Sequence, residues 1–167
     1  MKKLLFAVLA TTAMFTACKK DDNSTPSRKD MLVNGRWQLT ASTTNSKFAT
    51  STSTVFDSTE DNLASYYPCE KDNLDIFNSD GTVTEDEGST KCASTSPQTT
   101  VIGTWSLSNN DSKFILTPSA NQNDTTTISG DIIELTSTTF HFRSTNVRTV
   151  NPYTLTTVDD YTFTNRK

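Results

Sequence analysis

Apolar residues recur at every second position along this chain, and Thr and Ser fill most of the positions between them. The stretch "GRWQLTAST" at residues 35–43 puts Trp37 and Leu39 on one face and Arg36, Gln38 and Thr40 on the other. This is the period of a β-strand, whose successive side chains point to opposite faces. Thr is β-branched and suits the half-solvated face of such a strand. Composition alone points elsewhere. After residue 17 there are 28 Leu, Ile, Val and Phe against 29 Thr and 19 Ser, an apolar share below the roughly one-fifth at which disorder competes with folding. The alternation, with little Pro, argues for a thin-cored β domain over a mucin-like coil.

Turn signals divide the alternating runs. "DNLDIFNSDGTVTEDEG" at 72–88 reads as a hairpin turning at Asp80 and Gly81. "VIGTWSLSNNDSKFILTP" at 101–118 reads as a second, turning at 109–111. "TTTISGDIIELTSTTFHFRS" at 125–144 reads as three strands, with turns at 129–131 and near Ser137 and Thr138. Residues 153–163 supply a last strand, 48–56 a weaker one, and 58–68 read as irregular with a helical turn. Eight or nine short strands without a convincing helix predict an all-β fold. The expected form is an up-and-down antiparallel barrel of about eight strands, with a β-sandwich as the alternative.

The start of the chain reads as an address. Lys2 and Lys3 precede an apolar run at 4–15, followed by the small residues Thr16 and Ala17. This is the layout of a secretory signal, and it is shorter than the roughly 20 apolar residues a membrane span needs. Cys18 follows at the cleavage point. The arrangement resembles a bacterial lipobox, with Phe15 where Leu is usual, and implies that Cys18 is acylated and anchors the mature protein to a membrane. "KKDD" at 19–22 resembles the Lys/Asp-rich export signal of Bacteroidota lipoproteins, which implies the outer face of the outer membrane. The bland reading is a solvated tether. The expected organisation is a signal at 1–17, a polar tether at 18–30 and one domain at 31–167.

Cleavage would leave 13 Lys and Arg against 19 Asp and Glu. Such an acidic chain, with no basic run, argues against nucleic acid or an anionic surface as partner. Cys69 and Cys92 form an even pair in an oxidising compartment, so a disulfide is expected. Closing a loop of that size contributes about 3 kcal/mol on a chain-entropy basis.

The residues for catalysis are sparse. His141 is the one His, set between Phe140 and Phe142 and so facing away from them, beside Arg143. Acids are plentiful at Asp72, Asp75, Asp80, Glu85, Asp86 and Glu87, and the run "TEDE" at 84–87, beside a turn, reads as a solvated rim. No Ca²⁺ loop or phosphate-binding glycine loop occurs. Neither an enzyme, a metal site nor a cofactor is expected. Asp57-Ser58-Thr59 and Asp124-Thr125-Thr126 resemble a Bacteroidota O-glycosylation pattern, which would place sugar on surface loops.

"NGRWQLT" at 34–40 and "IGTWSLS" at 102–108 share Gly-x-Trp-x-Leu. Gly35-x-Trp37 resembles the lipocalin signature. "CEKDNLDIFNSDGTVTEDEGSTKC", followed by "GTWSL" and "DIIELTSTTFHF", resembles the lipocalin-like lipoproteins of Bacteroidota. That resemblance implies a barrel with Trp37 near its closed end and a late Arg, Arg143 or Arg166, packed over it. Two functions then compete. In one, the barrel holds a small, partly apolar ligand. In the other, it is filled and serves as a surface for another protein. Trp37, Leu39, Phe77, Trp105, Leu107, Phe140, Phe142, Tyr161 and Phe163 are the residues expected to line or plug the interior.

Overall fold

The computed structural model describes residues 25–120, 122 and 125–167. Cys18, the signal, residues 19–22 and Asp124 lie outside the described residues.

Nine strands form one sheet in the order β2-β1-β3-β4-β5-β6-β7-β8-β9, and β1 also pairs with β9. They are β1 (Trp37–Ala49), β2 (Thr54–Asp61), β3 (Leu74–Phe77), β4 (Thr82–Asp86), β5 (Thr99–Ser108), β6 (Lys113–Pro118), β7 (Ile128–Leu135), β8 (Thr139–Val150) and β9 (Tyr153–Asn165). The β1–β9 pairing closes eight antiparallel strands into an up-and-down barrel, with β2 as an extra strand outside it. A closed sheet has no open edge in its wall, and the sandwich alternative falls because a single sheet meets itself.

The two main hairpins turn where expected. Gly81 takes φ +89°, and Asn109, Asn110 and Asp111 take left-handed φ values of 53°, 54° and 61°. Asn and Asp tolerate that region better than other side chains. Three expectations are corrected. Residues 129–131 are not a turn but lie within β7. Gly130 is there because β8 crosses too closely for a side chain: a Cβ would fall 2.5 Å from the Arg143 carbonyl oxygen. The run at 58–68, read as irregular, begins with the second half of β2, and the turn lies earlier, at 50–53, inside the stretch read as a weak strand.

The third correction is a helix, α1 (Arg28–Val33), which begins inside the segment read as tether. The side chains of Ser27 and Asp30 cap each other's backbone N–H groups. A single turn and a half is too short to show helical periodicity in sequence. Its fully buried Leu32 seals the barrel's closed end, and the Trp37 indole N–H donates to the Leu32 carbonyl at 2.9 Å. Gly35 is required by that fold-back, since a Cβ would fall 2.3 Å from Trp37 Nε1. The expected Arg over Trp37 is absent among the described residues. Arg143 instead pairs with Asp160, and Arg166 donates to the Gln38 side chain.

The core sits at the same end. Trp37, Phe77, Val83, Trp105, Phe114, Phe140, Phe142 and Phe163 are buried together with Leu32. The Phe77 ring meets Trp105, Phe114 and Phe140 edge-on, with centroids 5.6, 5.4 and 5.9 Å away. The Trp105 indole donates to the Asn78 carbonyl at 3.0 Å, so both tryptophans satisfy their one polar atom at the closed end.

At the other end β1, β8 and β9 continue past the barrel wall. With β2 they make a four-stranded ribbon in the order β2-β1-β9-β8. Phe48 stacks on Tyr153 there at 4.5 Å, while Val55, Phe56 and Val147 are exposed.

A partly filled barrel with an acid pair in its cavity

The barrel interior is not packed along its whole length. Above the aromatic plug a cavity of about 220 Å³ remains. Five of the residues expected to line or plug the barrel border it: Leu39, Phe77, Phe142, Tyr161 and Phe163. Trp37, Trp105 and Phe140 are plug alone, packed below the cavity with Leu107 against them. The two expected interiors, hollow and solid, occupy different levels of one barrel.

Several lining residues escaped the sequence reading. Phe114, Leu116 and Ile128 complete the apolar wall. Ile102 joins them because β5 carries a bulge, Val83 facing Gly103 and Thr84 facing Val101. The extra residue turns Ile102 inward and leaves Val101 half exposed. Tyr66, Glu70 and Asn73 come from the β2–β3 connection, which lies across the mouth.

The polar side chains that the barrel strands themselves contribute to the lining include Asp75 and Glu85. They are direct cross-strand partners on β3 and β4, and period two places them on the same inner face as Phe77 and Val83. The solvated-rim reading of the run at 84–87 therefore fails for Glu85. Asp86 turns outward but is not solvated either: its side chain is 13 % exposed and accepts from Arg36 at 2.5 Å. Asp72 accepts from the Ser89 and Thr90 backbone N–H groups, both at 3.0 Å, and ties the neighbouring loop.

Burial pushes the Asp75 carboxyl up to about 7, and the nearby Glu85 adds to it. Glu85 is raised as well, by burial first and then by Glu87 and Glu70, against a hydrogen bond with Asn73 that lowers it. Burial also raises the Tyr66 hydroxyl, helped by Glu70, Asp75 and Glu85. Asp75 keeps some accessible surface because it borders the cavity. No hydrogen bond from a described residue reaches its carboxyl.

The expected disulfide is present. Cys69 and Cys92 are joined, with Cα atoms 5.1 Å apart. It staples the β2–β3 connection to the β4–β5 connection beside the mouth, where Cys92 borders a second hollow with Glu70, Asn73, Glu85 and Glu87. His141 faces outward as expected, its Nε2 2.8 Å from Asp160 Oδ1, which also accepts from Arg143 Nε at 2.9 Å. Burial pushes Asp160 up, but the bonds from Arg143 and His141 outweigh it and hold the carboxyl below its usual range. Asp57, Ser58 and Thr59 lie on β2, not in a loop, and Asn45 Nδ2 donates to the side chains of Asp57 and Thr59. Among the described residues no three His, Cys, Asp or Glu are grouped to hold a metal ion.

The barrel, its Gly-x-Trp plug and its stapled mouth can be set beside known proteins. A family model for a lipocalin-like domain matches residues 33–142. No curated protein and no solved structure matches the chain.

Proposed function

This chain belongs to the lipocalin-like domain family, and on that footing we propose that it is a non-enzymatic, lipid-anchored carrier of a small, partly apolar molecule. The observation that carries the reading is the 220 Å³ cavity above the plug. A small eight-stranded barrel has an interior just wide enough to be filled by its own side chains, so space left there is not what packing alone would produce. Cavities of this kind, apolar with a few convergent polar groups, are the usual form of a small-molecule site.

The anchor is Cys18, acylated after cleavage behind Ala17, with residues 19–22 directing the protein to the outer face of the outer membrane. The Cys18→Ser protein is then expected in the soluble fraction, and the intact protein on whole cells is expected to be sensitive to added protease. Ligand carriage is tested with an environment-sensitive apolar fluorophore, which should bind the folded domain saturably. Ile128→Trp fills the cavity and should abolish binding while the circular dichroism of the barrel is unchanged. Absence of saturable binding to the native chain would overturn the carrier reading.

A second reading rests on the ribbon. Val55, Phe56 and Val147 are 58, 53 and 62 % exposed on a projecting sheet, and β2 offers an edge that no described strand pairs. That surface would suit contact with another protein, and Phe56→Ser should weaken such contact without touching probe binding.

A further inference from the structure

An apolar cavity for an apolar ligand would not place unpaired carboxyls in its wall. Asp75 and Glu85 face each other across the β3–β4 ladder, both border the cavity, and Asp75 receives no hydrogen bond from any described residue. Burying such a group without a partner costs free energy, so the pair weakens the empty barrel. Glu70 adds a third carboxyl to the lining, and among the described residues no Lys, Arg or His lines it. An anionic ligand would meet carboxyl groups with nothing to offset them. A neutral apolar ligand would leave Asp75 as it is. A metal ion finds no group of three suitable ligands among the described residues.

Resting on the carrier reading above, we propose that the cavity binds a small organic cation: an amine whose ammonium group sits between Asp75 and Glu85 and whose apolar body lies against the aromatic wall. The ammonium supplies the hydrogen-bond donors that Asp75 lacks, and charge-assisted bonds of this type are the strong ones. Phe77 and Phe142 present ring faces or edges to the same space, and a cation beside such rings gains further attraction. Size sets the class. An apolar cavity of about 150 Å³ takes up benzene. The 220 Å³ here leaves room for one ring with a short aminoalkyl arm. Glu85, Glu70, Asn73 and Tyr66 border both the cavity and the outer hollow, where Glu87 joins them, so the approach to the site is acidic and attracts cations from solution.

Three probes of matched size separate the possibilities by calorimetry: 2-phenylethylammonium, propylbenzene and 3-phenylpropionate. The ammonium is expected to bind tightest and the carboxylate not at all. Asp75→Asn should weaken the ammonium by at least about tenfold, since truncating one partner of a buried charge pair is costly, and leave propylbenzene within about twofold. Glu85→Gln serves as the second variant should Asp75→Asn fail to fold. The native chain supplies an independent reading. Lowering the pH from about 8 to about 5 protonates Asp75, whose carboxyl burial raises to about 7, while the probe amine keeps its proton. Ammonium affinity should fall over that range and propylbenzene affinity should not. Equal affinity for ammonium and propylbenzene, or an ammonium unaffected by both variants and by pH, would overturn the cation inference and leave the carrier reading standing. Failure of all three probes to bind the native chain would overturn both.

Discussion

The two ends of this barrel are built from the same alternating strands and obey opposite rules. At the closed end every large side chain is apolar or has its polar atom satisfied: Trp37 by Leu32, Trp105 by Asn78. At the open end two carboxyls share an apolar wall, and one of them has no hydrogen bond among the described residues. A fold selected for stability alone would extend the plug upward. That the filled core gives way to open space at Asp75 and Glu85 teaches that the closed end holds the fold, whereas the open end lowers stability to keep a polarised space.

The contrast can be broken most forcefully from below. Trp37→Ala removes a fully buried indole and is expected to cost about 3–5 kcal/mol, measured by urea denaturation. In a domain holding about 5–15 kcal/mol in total this approaches global unfolding. A loss under about 1 kcal/mol would mean that Leu32 and Phe140 collapse into the space. Next in size is the staple at the mouth. The Cys69→Ala, Cys92→Ala double variant should lose about 3 kcal/mol, with the plug's near-ultraviolet aromatic signal retained in what remains folded.

Asp75→Asn should act in the opposite direction. A carboxyl whose folded pKa is raised stays protonated in the native state over a range where the unfolded chain has already released its proton. Stability then falls as pH rises from about 4 to about 7, and the penalty is complete above that. Removing the charge should relieve about 1–2 kcal/mol at pH 8, discounted for the surface Asp75 shows to the cavity, and should flatten the decline of melting temperature with pH over that window. A native chain whose stability rises steadily from pH 4 to 7 would contradict the placement of Asp75. The smallest effect belongs to the ribbon beyond both ends of the contrast: Phe56→Ser at an exposed position should change stability by less than about 0.5 kcal/mol.

The parts of the site that could be read from sequence are those governed by local rules. Leu39, Phe77, Phe142, Tyr161 and Phe163 are expected inside from the alternation together with the barrel that the resemblance implies, and the cavity borders all five. Asp75 and Glu85 were missed although the same period puts them with Phe77 and Val83. Their proximity to a turn outweighed their parity, because acids beside turns are solvated in most chains. Tyr66 and Glu70 could not have been found by pattern. They reach the cavity from an irregular connection whose course is set by the Cys69–Cys92 disulfide and by tertiary packing.

Strand identity, strand faces and most turns follow from period two and from residues such as Gly81, Asn109 and Asn110, because those constraints act within a few residues of each other. Bulges at Thr40, Ile102 and Ile133 then invert the face of whatever follows them in the strand, as the register shifts record, and no composition rule marks them. Closure of β1 on β9, the ribbon beyond it and the empty volume itself were decided only by the tertiary structure. A cavity is the difference between the space enclosed by eight strands and the summed volume of side chains that enter it. That difference depends on tilt, register and bulges together, so it belongs to no segment of the sequence.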